Sequence, residues 1–339
     1  MAEKKYTPMM QHYLKMKEEN PDSILFYRLG DFYEMFFEDA KLVSQELDLV
    51  LTGRSAGVEE KVPMCGIPFH AANSYIQRLV KKGYKVAICE QLEDPSSAKG
   101  LVDRGIIKII TPGTYMDATM DAKSTNYMAS CDVSSFEITV IYCELSTGEL
   151  KYQTLQRSLV ALQKALLEQN VSELVCPMTM DKKWMAALEE MDTMLISKHK
   201  KANIDSEDLP LLNGIESESL KEAFALLMAY LKDTQKQRID HFLPIESMDK
   251  DKVLVMDYET KNHLELVSSQ SSNAKAESLW SFMDKCQSAM GSRMLKRWIE
   301  YPLIDAEKIA KRQVAVKDLK ENFMSVSYTH LTLPTNSLV

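Results

Sequence analysis

The sequence has no long hydrophobic run and no export signal. A helix that crosses a membrane needs about 20 consecutive apolar residues, and an apolar stretch such as residues 226–231 is far shorter. Residues 1–5 contain two lysines and a glutamate where a signal peptide would begin its apolar core. We therefore expect a protein that does not enter a membrane and that stays in the cytoplasm.

Regularly spaced metal ligands are also lacking. No two cysteines form a Cys-x-x-Cys pair, which argues against a zinc site and against a disulfide framework. The six histidines show no metal-ligand spacing either. We predict no metal, and we interpret most of the cysteines as small core residues; they are Cys65, Cys89, Cys131, Cys143, Cys176 and Cys286.

A phosphate-binding loop for ATP is missing. The motif Gly-x-x-x-x-Gly-Lys-Ser/Thr, whose backbone amides cradle phosphates, occurs nowhere in the chain. We therefore expect this chain to hydrolyse no ATP and to be no enzyme.

The charge balance is acidic. The net charge of −8 counts against strong binding to nucleic acid, because phosphate contacts need Lys and Arg. Residues 76–110 are an exception with seven basic and four acidic side chains. This local excess predicts a modest basic patch, although a solvated helix face explains the same pattern. The basic members are Arg78, Lys81, Lys82, Lys85, Lys99, Arg104 and Lys108.

Hydrophobic patterning divides the chain into three regions and a tail. Strand-like and helix-like patterns alternate over residues 1–115 and again over 116–248, which predicts two α/β domains. Over 249–324 apolar residues recur at helical spacing, which predicts the start of an all-α domain. Residues 325–339 show no such period, and we predict that they are not native coding sequence. The helical apolar face comprises Leu279, Phe282, Met283, Cys286, Met290, Met294, Leu295, Trp298 and Ile299.

The segment around Phe32 has an ordinary structural interpretation. Residues 24–29 form an apolar run typical of a strand. Asp31 followed by Glu34 is the spacing of a helix capping box, and apolar residues then recur at helical spacing from Phe36 to Leu47. On this interpretation Glu34 only satisfies backbone donors and Phe32 only covers a first helical turn.

Several motifs, taken together, indicate a second interpretation. They are Leu29-Gly-Asp-Phe-Tyr-Glu34, Pro63-Met-Cys-Gly-Ile-Pro-Phe-His-Ala71, Val86-Ala-Ile-Cys-Glu-Gln91, Thr111-Pro-Gly-Thr114 and Met290-Gly-Ser-Arg-Met-Leu-Lys-Arg-Trp-Ile299. In this order and spacing, residues 6–324 resemble the MutS family of DNA mismatch repair proteins. The resemblance implies a mismatch-binding domain over 1–115, an RNase H-like connector over 116–248 and a truncated helical core over 249–324.

The resemblance also implies a mechanism of recognition. Phe32 would enter the minor groove of duplex DNA and stack beside a mispaired or unpaired base, while Glu34 would hydrogen-bond the displaced base and the duplex would kink. Leu29, Gly30 and Asp31 would position this pair and lie near the DNA.

Four further side chains are candidate DNA contacts. Arg54 lies in a polar loop and is a candidate groove or backbone contact. Lys99 and Arg104 are candidate phosphate contacts. His70 is either a contact or a core histidine.

The rest of the family's machinery would lie beyond residue 324. The resemblance places the clamp, the ATPase and the dimer interface there, so ATP and Mg²⁺ are implied only for that missing part. We expect a monomer here, in contrast to the full-length homodimer. A MutL-type repair partner is implied through the connector.

Two rival functions remain open. A metal-dependent nuclease of the RNase H type would need at least three or four converging carboxylates, and Asp132, Glu144 and Glu149 lie on or beside predicted strands. The other rival is a protein-interaction module with no DNA activity of its own.

Overall fold

The computed structural model describes residues 6–92, 103–115, 126–237, 239–248, 253–269 and 278–321. The chain divides between Ser247 and Met248 into two compact units. Lys99 and the predicted tail 325–339 lie outside the described residues. Within the ranges given, no helix is long and apolar enough to span a membrane.

The first unit begins with a mixed sheet and three helices. The sheet follows the order β3-β4-β2-β1-β5-β6, in which β1 and β5 run parallel and the other neighbours are antiparallel. Its strands are β1 (Ser23–Leu29), β2 (Phe32–Phe36), β3 (Thr52–Arg54), β4 (Val62–Pro68), β5 (Lys85–Gln91) and β6 (Arg104–Ile110). The helices are α1 (Pro8–Glu19), α2 (Phe37–Leu47) and α3 (Ala72–Lys81), with a 3-10 turn at Phe69–Ala71.

Each face of this sheet is covered by a different part of the chain. One core cluster contains Phe26 and Met35 together with buried residues of α2 and α3. The other contains Leu25 and Phe36 together with residues of α1. Successive residues of a strand point to opposite faces, so alternate residues of β1 and β2 pack into the two core clusters.

The predicted capping box at Asp31 and Glu34 is wrong. Residues 32–36 form β2, which pairs with β1 on one side and β4 on the other. Two ladders satisfy the backbone of β2 along its length, whereas a helix starting at Asp31 would forfeit both. Helix α2 begins only at Phe37, and its N-cap residue Phe36 makes no side-chain cap.

A buried carboxylate ties α1, β1 and α2 together. Asp39 accepts hydrogen bonds from the Leu25 amide at 2.9 Å, from Lys17 Nζ at 2.9 Å and from the Tyr13 hydroxyl at 3.3 Å. Burial and the charge of Asp39 raise the pKa of Tyr13, which therefore stays a neutral donor.

The second sheet follows the order β11-β10-β7-β8-β9-β12. Strands β7, β8 and β9 form an antiparallel meander, and β10 and β11 run parallel to β7. The strands are β7 (Tyr127–Val133), β8 (Glu137–Glu144), β9 (Glu149–Gln156), β10 (Val171–Pro177), β11 (Leu195–His199) and β12 (Glu246–Ser247). The helices are α4 (Leu159–Glu168), α5 (Lys182–Glu189) and α6 (Glu218–Gln235), with a 3-10 turn at Leu209–Leu212. This architecture confirms a second α/β region, while its kinship with the RNase H fold stays a prediction.

Glu173 joins the two sheets. Its carboxylate is fully buried and accepts hydrogen bonds from the hydroxyls of Thr111, Ser197 and Tyr230 and from the Gly113 amide at 3.0 Å. Thr111 and Gly113 follow β6, whereas the other donors belong to β11 and α6. A Cβ atom at Gly113 would lie 2.9 Å from Glu173 Cβ, so only glycine allows this close approach.

The cysteines are free thiols, and five of the six are buried. This confirms their prediction as core residues. Burial raises the pKa of Cys65 and of Cys89 to about 12, so both stay protonated at neutral pH.

The second unit is helical in its described part. It contains α7 (Tyr258–His263), α8 (Leu279–Met283), α9 (Ala289–Glu300) and α10 (Ala306–Glu321). The predicted continuous apolar face is wrong, because the chain leaves the helical conformation between α8 and α9. Several members of that face are exposed, namely Leu279, Phe282, Met283, Met290 and Met294.

We predict that Glu173→Ala lowers the free energy of unfolding of the first unit by about 3 kcal/mol or more, because buried donors left without an acceptor cost about 1–3 kcal/mol each. Urea unfolding followed by circular dichroism measures the loss. Glu189→Ala is the matched control, since Glu189 forms an exposed ion pair with Lys198 and such pairs contribute about 0–1 kcal/mol. Equal stability of the two variants would contradict the role of Glu173.

Candidate functional site

A two-residue turn presents Phe32 at the end of the sheet. Leu29 pairs with Phe32 in the β1–β2 register, so only Gly30 and Asp31 connect the strands. Gly30 has a φ of 59°, as the first central residue of a type II′ turn requires, and glycine adopts this conformation without steric cost. The side chain of Phe32 is 47% exposed directly after this turn.

Phe32 and Glu34 share one face of β2 with Phe36. Helix α1 covers Phe36, whose ring lies 5.0 Å from that of Tyr13. The Phe36 amide also donates to the Tyr13 hydroxyl at 3.2 Å. Phe32 lies four residues before Phe36 and stays exposed, and Glu34 is half-buried between them. We call this exposed end of the face, with Phe32 and Glu34, the open face.

Tyr33 points to the opposite face and fixes the strand. Its ring is buried and packs 5.9 Å from Phe26, and its hydroxyl donates to Glu90. Burial and the hydrogen bond to Glu90 raise the pKa of Tyr33. Tyr33 therefore anchors β2 between two residues that face outward.

Glu34 is paired with Arg54. The Nη1 group of Arg54 donates to Glu34 Oε2, with side-chain exposures of 37% for Arg54 and 16% for Glu34. The guanidinium also lies 6.0 Å from the ring centroid of Phe36. The sequence prediction placed Arg54 at the groove or the DNA backbone, and the structure places it on the carboxylate of Glu34.

Gly66 leaves room beside this pair. It stands opposite Glu34 in the β2–β4 register. A Cβ atom at Gly66 would lie 3.6 Å from Glu34 Cγ and 4.0 Å from Phe32 Cδ1. The absence of a side chain here keeps the open face accessible between β2 and β4.

Arg28 and Phe69 support the turn from the other side. The guanidinium carbon of Arg28 lies 3.8 Å from the Phe69 ring centroid, an arrangement that favours cation–π attraction. Arg28 Nε donates to the Gly30 carbonyl, and the Phe69 amide donates to the Asp31 carbonyl at 2.9 Å. Sequence reasoning did not single out either residue, because their roles depend on contacts across the sheet.

The remaining predicted contacts fall in different environments. Asp31 is exposed at the turn and Leu29 is half-buried behind it. His70 is exposed in the 3-10 turn, so the alternative of a core histidine is wrong. Whether any of them contacts DNA stays a prediction.

Arg104 supports β1 from inside the molecule. It is only 7% exposed, its Nε donates to the Arg28 carbonyl at 2.9 Å, and its guanidinium lies 5.4 Å from the Tyr27 ring. A phosphate contact needs a guanidinium at the surface, which this geometry does not provide. Lys99, the other predicted phosphate contact, lies outside the described residues.

The described residues of the predicted basic patch lie in different local environments. Arg78 lies 3.9 Å from Asp48 and Lys82 lies 2.6 Å from Glu46, so acidic partners offset part of the charge. Burial lowers the pKa of Lys108, which belongs to β6. The described basic residues lie in or directly after α3, in β5 and in β6.

The candidate nuclease carboxylates serve structural partners. Asp132 accepts from Lys201 at 3.0 Å and from Ser219 at 2.9 Å. Glu144 accepts from hydroxyls of the turn that follows it, and Glu149 pairs with a lysine of the same strand. Across the part of the chain that the structure describes, no group of three or more His, Cys, Asp or Glu could hold a metal ion.

A histidine that sequence reasoning missed contacts Tyr27, which stands opposite Glu34 in the β1–β2 register. His12 Nδ1 is 3.0 Å from the Tyr27 hydroxyl. Burial and the positive charge of Arg104 lower the pKa of His12 below 6.5. Thr7-Pro8, with Met10 and Tyr13 on one helical face, was the signal that would have revealed α1.

We predict that Gly30→Ala lowers the free energy of unfolding by about 1–2 kcal/mol, because a Cβ atom at positive φ is strained. Gly30→Asn should cost less, since Asn tolerates this turn position better. Urea unfolding of the two variants and the wild type measures the order. An Ala variant as stable as the wild type would show that the turn does not need glycine.

We predict that His12 lowers the free energy of unfolding in acid. Its pKa is depressed in the folded protein, so the stability it contributes is present above pH 6.5 and is lost as the pH falls through the folded pKa. The free energy of unfolding of the wild type should therefore fall more steeply from pH 7 to 5 than that of His12→Gln. Parallel pH profiles, measured by urea unfolding at each pH, would contradict this.

Two family models match the chain. MutS domain I matches residues 7–119, and MutS domain III matches residues 259–333. The first match contains the whole of the β1–β2 turn and the open face. The second overlaps the beginning of the segment that the sequence pattern assigned to a non-native tail.

Similar proteins bear the name DNA mismatch repair protein MutS. The protein of Clostridium tetani is 42% identical over 329 residues, which cover 94% of this chain and 37% of the relative. That of Listeria welshimeri is 43% identical over 320 residues, and that of Bacillus subtilis strain 168 is 41% identical over 320 residues, with the same two coverages. The chain thus spans little more than a third of the length of these relatives. Two domain models in order and this level of identity lead to one conclusion: the chain belongs to the MutS family.

Proposed function

We propose that the first α/β region recognises mispaired or unpaired bases in duplex DNA. Phe32 enters the minor groove and stacks beside the defective base, and Glu34 hydrogen-bonds the base that is displaced. The observation that carries this proposal is the exposed Phe32 ring, which projects from a two-residue turn next to a carboxylate on the same face. The names of the relatives support a role in mismatch repair.

Stacking and deformability supply the discrimination. Stacking of a base on an aromatic side chain is worth about 1–3 kcal/mol. A wedge of this kind unstacks one base step and kinks the duplex by roughly 20–90°. Such distortion costs less at a mismatch or an unpaired base than in matched DNA, because pairing is already weakened there. Recognition therefore needs no particular base sequence.

Glu34 makes a second contribution to the recognition of the defective base. A carboxylate is repelled by DNA phosphates, so Glu34 contributes only where it meets a hydrogen-bond donor of a base or takes up a proton of its own. Calorimetry of DNA binding in two buffers with different ionisation enthalpies separates the two cases, because only the second takes up protons from the buffer.

We infer that ATP hydrolysis is an activity of the longer relatives. The given residues contain no phosphate-binding loop, and we propose that they hydrolyse no ATP and that ATP and Mg²⁺ bind to other parts of the family's proteins. Homodimerisation, the cytoplasmic location and contact of the second α/β region with a MutL-type protein are likewise inferred from the family. The net charge of −8 supports weak nonspecific affinity for DNA.

We predict that the chain binds a duplex with one unpaired thymine more tightly than its matched twin, and that Phe32→Ala loses about 1–3 kcal/mol of binding free energy on the bulged duplex alone. Fluorescence anisotropy at low salt measures both affinities. Phe136→Ala is the matched control, because this phenylalanine is 90% exposed but lies in the turn before β8.

Two results would contradict the proposal. Equal affinity for the two duplexes, unchanged in Phe32→Ala, would exclude the wedge. Equal losses in Phe32→Ala and Phe136→Ala would show that exposed rings act without regard to position.

A further inference from the structure

The open face carries an ion pair whose purpose the proposed recognition leaves unexplained. Glu34 lies next to the recognition ring, and Arg54 donates to it. Arg54 is also a candidate for a direct contact with the groove or the DNA backbone, as the sequence predicted. The two roles have different consequences for DNA binding. An arginine that contacts DNA directly contributes on its own, whereas an arginine that neutralises Glu34 contributes only through Glu34.

The strand register brings these two side chains together. Arg54 pairs with Val62 in the β3–β4 ladder, and Gly66 pairs with Glu34 in the β4–β2 ladder. Val62 and Gly66 are four residues apart on one strand and therefore share a face. With no side chain at Gly66, Arg54 reaches across β4 to Glu34.

The neighbouring arginines contact groups other than Glu34. Arg28 stacks on Phe69 on the other face and pairs with Glu90 at 3.4 Å. Arg104 is buried and donates to the Arg28 carbonyl. Arg54 is thus the cation that the described structure pairs with the Glu34 charge at the open face.

We propose that Arg54 is a positioning residue for Glu34. It holds the carboxylate beside Phe32 and cancels its charge, so that DNA phosphates approach the open face without repulsion. This inference rests on the proposed function. It differs from a direct phosphate contact because the contribution of Arg54 to DNA binding exists only while Glu34 is present.

A double-mutant cycle tests this difference. The full chain, Arg54→Gln, Glu34→Gln and the double variant are titrated into bulged and matched duplexes by fluorescence anisotropy at several salt concentrations. Arg54→Gln should weaken binding about tenfold in the presence of Glu34 and about twofold or less in the Glu34→Gln background, since residues in direct contact couple by factors of this order. Arg78→Gln is the matched control, because it removes the same charge from the exposed pair with Asp48.

The salt dependence provides a second readout. A side chain that neutralises one phosphate makes the slope of log affinity against log salt more negative by about one. In the Glu34→Gln background, Arg54→Gln should leave this slope unchanged. Urea unfolding of each variant confirms that the fold is retained.

Two outcomes would overturn the inference. Equal fold-losses in the two backgrounds, with a salt slope that is less negative by about one, would identify Arg54 as a phosphate contact. No loss in either background would show that the ion pair is irrelevant to DNA. If the wild type binds both duplexes equally, the proposed function fails, yet coupling between Arg54 and Glu34 remains measurable on the matched duplex.

Discussion

The pairing of β1 with β2 through a two-residue turn is the constraint on which the site depends. Leu29 opposite Phe32 fixes the register, and a slip by one residue would move every side chain of β2 to the other face. With this register, Phe32 and Glu34 emerge at the end of the face that α1 leaves uncovered beyond Phe36, while Tyr33 and Met35 enter the core on the other side. The positive φ of Gly30 makes the short turn possible.

Two buried carboxylates hold the framework around that hairpin. Asp39 gathers α1, β1 and α2 through Tyr13, Lys17 and the Leu25 amide. Glu173 links the end of the first sheet to the second sheet. In both cases a charged group is tolerated inside because donors surround it.

Patterning predicted the regular elements well and the site's contacts poorly. The alternating patterns over 1–115 and 116–248 and the apolar run over 24–29 predicted two α/β regions and strand β1, and the structure confirms both regions and that strand. Strand β2 was missed because Asp31 and Glu34 mimic a capping box, and only the ladders to both neighbours decide for a strand. The motif order identified the family, which the domain matches confirm.

Contacts between residues that are far apart in the sequence are not predicted by local residue spacing. Arg54 and Glu34 are 20 residues apart, and Arg104 and Arg28 are 76 apart. A sequence pattern gives no register between such strands, so the burial of Arg104 and the pairing of Arg54 came only from the structure. The apolar face of α8 and α9 was overestimated for the same reason, since periodicity does not say what covers a face.

Insertion of Phe32 into the base stack is the central claim, and 2-aminopurine placed next to an unpaired thymine tests it most directly. The fluorescence of this base rises when it is unstacked. Saturating the bulged duplex with the wild-type chain should raise the emission, and saturating it with Phe32→Ala should not. Full binding of the wild type with unchanged emission would contradict the account, because a wedge cannot enter the duplex without unstacking a base step.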